Sequence, residues 1–539
     1  MIPAKAIRPF KCFFSLLFLL APVSLALASN PDVIKASRHD VSLPLSQMVV
    51  GAASNGGGSN RQTPTARATG AIITNPNSDP VAAPLAGPLT GVTGLLNIDG
   101  QSAQDNRDLF GFAFVPPDTN GAVGTTQFVQ MVNVTIAVYD KSSGALQLGP
   151  SAIHTLWTGF GGLCEFGGGT PTFADGGDPV VLYDHLAGRW LVSQLQFDTT
   201  FTHTAQCVAV STSSDATGSY NRYEFDFGSN FPDYPKFGVW PDAYYNSINV
   251  FPPRSFAGAE ACAFDRHAML AGAPANAICF QQPPTVSSLL PADLDGSTLP
   301  PAGAPNSYVG LADSTHLNFF RFHVDFRNPA NSTFSGPTLV SVAPYSEICA
   351  RSITVSCIPQ PPPGEKVDAL SDRVMFRLAY RNFGDHESLV VNHTVKGGSL
   401  AGVRWYEIRN PSAPFVFQQS TVIDPNVDYW LGSIAMDKSG NIALGFSASS
   451  HSVFPSVYVA GRAPTDQAGA MFGPLVLVNG SGVQFNSFKR WGDYSTMSID
   501  PTDDCTFWYT QEYYAVTGSF NWATRIGSFK FDSCKGRGK

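Results

Sequence analysis

The sequence predicts an all-β chain folded as a six- or seven-bladed β-propeller behind a flexible N-terminal segment. Three observations predict it. Stretches of five to seven β-branched, aromatic and alternating polar residues recur, while apolar positions rarely return at helical spacing. Asp, Asn and Gly gather between those stretches, and 50 Gly with 41 Pro in 539 residues supply the turns. One plan repeats at intervals of roughly 50 to 70 residues: an acidic residue, a strand, an Asp/Gly turn, then a second strand rich in aromatics.

Residues 1–28 read as a signal peptide. Lys5, Arg8 and Lys11 precede an apolar run from Phe13 to Leu20, and Ala26-Leu27-Ala28 offers small residues for cleavage before Ser29. The rival reading, a membrane anchor, suits the run poorly because it is short and Pro22 interrupts it. A secreted, extracellular or periplasmic chain with no membrane span after cleavage is expected. Cleavage also removes Cys12 and leaves eight cysteines, an even set that suits an oxidising compartment. Neighbour pairing is favoured: Cys164 with Cys207, Cys262 with Cys279, Cys349 with Cys357, and Cys505 with Cys534. Each bond would staple one local loop or sheet. No Cys-x-x-Cys spacing supports the alternative of zinc.

Residues 29–105 mix Pro, Gly and polar residues with little periodic pattern, and read as a flexible linker or pro-segment. Residues 106–539 carry the repeats. Copies start at Asp118, Asp178, Asp233, Asp428 and Asp493, with looser members around 308–324 and 372–408. Six or seven blades account for them; a two-sheet sandwich, or two all-β domains in series, is the alternative. The Pro-rich inserts 281–305 and 358–364 would be long loops on one face.

The turn Asp437-Lys-Ser-Gly-Asn-Ile and the stretch from Asp184 to Trp190 resemble degenerate Asp-box hairpins of the sialidase-like propellers, in which an Asp and a Gly in the turn precede an aromatic strand. The full box, with Ser two before the Asp and Trp three after the Gly, is present in no copy. The resemblance implies a propeller more than it implies a sialidase.

Two stretches concentrate groups able to do chemistry. Between Tyr380 and His393 lie Arg381, Asp385, His386 and Glu387; His386 or Glu387 would act as acid or base, and the planar donors of Arg381 would hold a hydroxyl-rich or anionic substrate. The bland reading is a turn with a satisfied histidine. Arg490 and Asp493 precede Glu512, Tyr513 and Tyr514, with Arg525 beyond. Glu512 beside a tyrosine resembles the nucleophile pair of sialidase-like enzymes, whose arginines bind a carboxylate; the bland reading is a structural Arg/Asp pair with tyrosines packed between blades. The catalytic candidates are therefore Glu387, His386 and Glu512, and the substrate-binding candidates Arg381, Arg490, Asp493, Tyr513 and Arg525.

No cofactor is expected. Asp293-Leu-Asp-Gly296 and Asp175-Gly-Gly-Asp178 bring oxygens to Gly turns as Ca2+ loops do, but without EF-hand spacing, and Asx turns explain them. The sequence has no H-E-x-x-H, G-x-S-x-G or P-loop. The formal charge of −8 becomes −11 once residues 1–28 are removed, and the largest basic cluster is the terminal Lys535, Arg537 and Lys539, so nucleic acid is not an expected partner. The function expected is that of a secreted carbohydrate-active protein, foremost a glycoside hydrolase on an extracellular polysaccharide or glycan. The alternative is a non-catalytic propeller for binding or adhesion.

Overall fold

The computed structural model describes residues 30–48, 61–62, 72–166, 175–253, 255–349, 356–485 and 489–534. Among them the antiparallel pairings group into seven four-stranded units. Their innermost strands are Asn120–Val123, Val180–Asp184, Phe231–Val239, Leu290–Asp295, Met375–Asn382, Asp428–Met436 and Thr496–Ile499. Each innermost strand touches those of the units before and after it in the chain, and the seventh touches the first, so the sheets close into a ring. This is a β-propeller, and the units are numbered below as blades one to seven.

The seventh blade is completed from far away in sequence. Thr496–Ile499, Thr506–Tyr513 and Ala523–Phe531 are its first three strands, and Val92–Ser102 is the fourth, paired antiparallel to Ala523–Phe531. Three strands of the segment 29–105, expected as a flexible linker, are thus built into the ring. Asp32–Val41 lies between the outer edges of blades two and three, bonded to Tyr220–Gly228 on one side and Asn276–Gln281 on the other. Ala82–Pro84 adds a parallel edge to blade five. Composition misled here because an edge strand needs only backbone donors and acceptors, which Pro/Gly-rich and polar stretches still supply. The expected signal peptide lies outside the described residues.

Strand alternation explains where the core sits. One face of each blade meets the next, so the apolar residues of both faces are covered and Trp190, Trp405, Trp430, Trp491 and Trp522 are all buried. The turn aspartates read from the sequence do local work. Asp437 Oδ1 accepts from the amides of Ser439 and Asn441, and Asp184 Oδ1 from those of Leu186 and Ala187, each closing the turn from a first to a second strand.

The disulfides are Cys164–Cys207, Cys262–Cys279, Cys349–Cys357 and Cys505–Cys534. The second joins two directly paired strands of blade three, and the fourth ties the start of the second strand of blade seven to the end of its third. No helix among the described residues is long and apolar enough to cross a membrane.

Candidate functional site

The ring has two ends, proximal where the innermost strands begin and distal where they finish. A cavity of about 680 Å³ opens at the distal end, lined from the first strands of blades one, two, four, five and seven and from the turn after the first strand of blade six. Its wall holds Asp293 and Asp295, which lie on the same face of Leu290–Asp295 because side chains alternate along a strand. Both bind Arg377 from blade five: Nε donates to Asp293 Oδ2 at 2.7 Å and Nη2 to Asp295 Oδ1 at 2.6 Å. Asp293 Oδ1 also accepts from the Val239 amide at 2.9 Å. Burial pushes the Asp293 carboxyl up from its ordinary range; Arg377 opposes the shift and nearby Asp295 adds to it. Asp295 Oδ2 is buried and has no hydrogen-bond partner among the described residues, and the same holds for Ser498 Oγ across the same cavity.

The remaining wall is ionic and already paired. Arg381 reaches over blade six to grip both oxygens of Asp504, at 2.6 and 2.8 Å, while Lys438 donates to the Asp503 carbonyl at 2.7 Å. Gly296, at φ +80°, makes room for this arm, since a Cβ there would collide with Arg381 Nη1. His185 Nε2 carries a proton, because its partner at 2.8 Å is the Gly296 carbonyl, which only accepts.

At the proximal end four leading aspartates of the repeats, Asp118, Asp178, Asp233 and Asp493, converge. Asp118, with φ +48°, accepts from the Asp493 amide and from Asn133 Nδ2, both at 2.6 Å. Asn133 Oδ1 accepts from the Asp178 amide, and Asp178 Oδ2 accepts from the Tyr234 amide. Arg490 pairs with Asp493, and Lys236 sits 3.7 Å from the ring centres of both Tyr234 and Tyr494. All of these side chains are buried. Burial drives the Asp118, Asp178 and Asp233 carboxyls upward, with neighbouring aspartates adding to it, and pushes Lys236 down to about 8. Glu512, on the second strand of blade seven, accepts from the Gly492 amide at 2.7 Å, and burial raises it well above the ordinary range.

The two stretches singled out in the sequence therefore lie at opposite ends. Arg381, His386 and Glu387 belong to the distal end of blade five. Arg381 lines the cavity; His386 stacks on Phe383 with its Nδ1 2.8 Å from Asp385; Glu387 accepts from the Tyr380 hydroxyl at 2.5 Å. Arg490, Asp493 and Glu512 meet at the buried proximal end. Tyr513 and Arg525 hold neither end: both bond Asp99, at 3.1 and 2.6 Å, and so fasten the closing strand Val92–Ser102 to blade seven. Glu387 and Glu512 stand in different blades and share no pocket.

The oxygen-rich turns weighed for Ca2+ have protein partners: Asp293 and Asp295 hold Arg377, Asp175 holds His154, and Asp178 holds the Tyr234 amide. One trio of metal-capable side chains, Glu260, Cys262 and Cys279, is clustered among the described residues, but its sulfurs are bonded to each other. Sequence reasoning passed over the pair Asp293/Asp295 by assigning it to a turn. Its visible signal was two carboxylates at alternate strand positions followed by a Gly.

No family model matches the chain, and neither does any curated protein. Solved structures that resemble it include an α-L-arabinanase from Penicillium chrysogenum (8% identity, TM-score 0.36, covering 81% of this chain and 99% of that one). An endo-arabinase from Bacteroides thetaiotaomicron is 9% identical, with a TM-score of 0.29 over 64% and 92% of the two chains. A sialidase from Trypanosoma rangeli is 9% identical, with a TM-score of 0.31 over 65% and 54%.

Proposed function

We propose that the chain is an exported carbohydrate-active propeller, and that it hydrolyses glycosidic bonds in the distal cavity with Asp295 and Asp293 as its carboxyl pair. The observation that carries this reading is the arrangement on Arg377: two carboxyls from one strand share a guanidinium at an open cavity, and one of their oxygens is unengaged. Glycoside hydrolysis requires a proton donor and a carboxylate acting together on one bond. Asp293, whose proton is held more tightly through burial, suits the donor. Asp295, with Oδ2 facing no protein partner, suits the base or nucleophile. Arg381, held rigid by Asp504, and His185 would orient sugar hydroxyls, and Phe383 on the rim offers an apolar face to a ring. Four disulfides support export to an oxidising compartment, since such bonds persist poorly in a reducing cytosol.

A second reading has its own observation. Arg381 and Lys438 are held by Asp504 and the Asp503 carbonyl, which makes the wall a rigid surface that can bind a sugar with no bond broken. One experiment separates the two. Reducing-sugar release from a panel of arabinan, xylan, galactan and β-glucan is measured for the wild type, Asp295→Asn, Asp293→Asn and Glu387→Gln. Hydrolysis in the cavity predicts losses of about 100-fold or more in kcat for both aspartate variants and little loss for Glu387→Gln. Undiminished turnover in Asp295→Asn removes the assignment. Retention on a polysaccharide gel without turnover by any form establishes the binding propeller.

A further inference from the structure

A separate groove of about 430 Å³ lies at the proximal end between blades five and six, away from the distal cavity. Its floor is Asp428, the first residue of the innermost strand of blade six, which is 3% exposed. Asp428 Oδ1 accepts from the Ala401 amide at 2.8 Å, whereas Oδ2 is buried with no hydrogen-bond partner among the described residues. Leaving a carboxylate oxygen desolvated and unbonded is costly, so such an atom marks a place where a donor is missing. Around it stand groups of the opposite kind. Lys366 comes from the segment between blades four and five, and Ser450, His451 and Ser452 from the turn after the second strand of blade six.

This mixture selects its ligand. An ammonium group would be opposed by Lys366 and, once protonated, by His451; a phosphate or carboxylate would be opposed by Asp428. A neutral polyol is opposed by neither: one hydroxyl donates to Asp428 Oδ2, and its neighbours accept from Lys366 and the serine hydroxyls. The groove is within the size range of small-ligand sites. We infer that the groove over Asp428 is a second saccharide-binding site, which holds one neutral sugar unit of the polymer whose cleavage is assigned to the distal cavity. The choice of a sugar over other polyols rests on the proposed carbohydrate function. Two sites at opposite ends of one ring would engage two stretches or strands of polymer at once and raise retention without any new contact at the cleavage site.

The test uses the full mature chain and the panel polysaccharide it retains or cleaves best. Isothermal titration with a short oligosaccharide of that polymer is run on Asp295→Asn, to prevent turnover, and on Asp295→Asn combined with Lys366→Ala and His451→Ala. The rim pair is exposed, so these changes spare the fold, and a matching thermal melt verifies that. Two sites per chain in the first protein and one in the second, with polymer retention falling about tenfold or more, is the expected result. One site in both proteins overturns the second site and leaves the distal reading standing. An absence of oligosaccharide binding in both, with no sugar release by the wild type, overturns both readings together. Asp428→Asn gives an independent arm: its loss of the second site while Ala401 keeps its acceptor agrees with the inference, and unchanged stoichiometry contradicts it.

Discussion

Replacing Glu260 by Gln should stabilise the protein at alkaline pH and leave it unchanged in acid. Glu260 lies on Gly258–Phe264, the third strand of blade three, opposite Gln281, and is 8% exposed. Burial pushes its carboxyl from an ordinary 4.5 up to about 7, with Asp32 on the bridging strand adding to the shift. A raised carboxyl means that the folded state holds the proton when the unfolded chain has released it. The associated stability is complete below about pH 4.5 and drains away as pH climbs through 7. Roughly 2.5 pH units at about 1.4 kcal/mol each amount to a loss of about 3.5 kcal/mol by pH 8.5. Gln has the shape of the protonated acid and cannot ionise, so it should escape that loss. Urea unfolding of both proteins with disulfides intact, at pH 4 and pH 8.5, reads the difference directly. Equal stabilities at pH 4 and an advantage of about 3.5 kcal/mol for Gln at pH 8.5 are expected. A difference that is the same at both values, or that favours Glu in alkali, refutes the reasoning.

Arg377→Ala would strand Asp293 and Asp295 without their shared cation and should cost about 3–5 kcal/mol, read by denaturant midpoint; Asp293→Asn added to it should recover part of the loss. Asp118, raised in the fold, should make stability fall with rising pH above the ordinary carboxyl range. Asp118→Asn should flatten the slope of stability against pH between 5 and 8 by up to about 1.4 kcal/mol per unit, and an unaltered slope would count against a raised carboxyl there. Deleting residues through Ser102 removes the fourth strand of blade seven and bares the edge of Ala523–Phe531, so the truncated protein should aggregate or elute as an oligomer in size exclusion.

Much of the architecture was readable because propellers repeat. Asp118, Asp178, Asp233, Asp428 and Asp493 mark the beginnings of innermost strands in five of the seven blades, and the pairing of cysteines with sequence neighbours follows from each blade being local in the chain. The role of 29–105 was not readable: Val92–Ser102 is mostly solvent-facing, so its pattern carries little apolar signal, and what holds it is a backbone ladder with a partner over 400 residues away. The candidate site was legible only in pieces. Arg381 lines the distal cavity, but Glu387 and Glu512 were grouped by residue type, and type says nothing about which end of a ring a side chain faces. Asp295 could not be told from an ordinary turn aspartate, because what distinguishes it is a buried oxygen that no described residue hydrogen-bonds.

The borrowed fourth strand of blade seven also orders events during synthesis. Val92–Ser102 leaves the ribosome long before Ala523–Phe531 exists, so six blades can assemble one after another while the seventh must wait for the final stretch of polypeptide. Closure of the ring is therefore a contact between segments more than 400 residues apart, the slowest kind to form, and the Cys505–Cys534 bond ties the second and third strands of the blade that makes it.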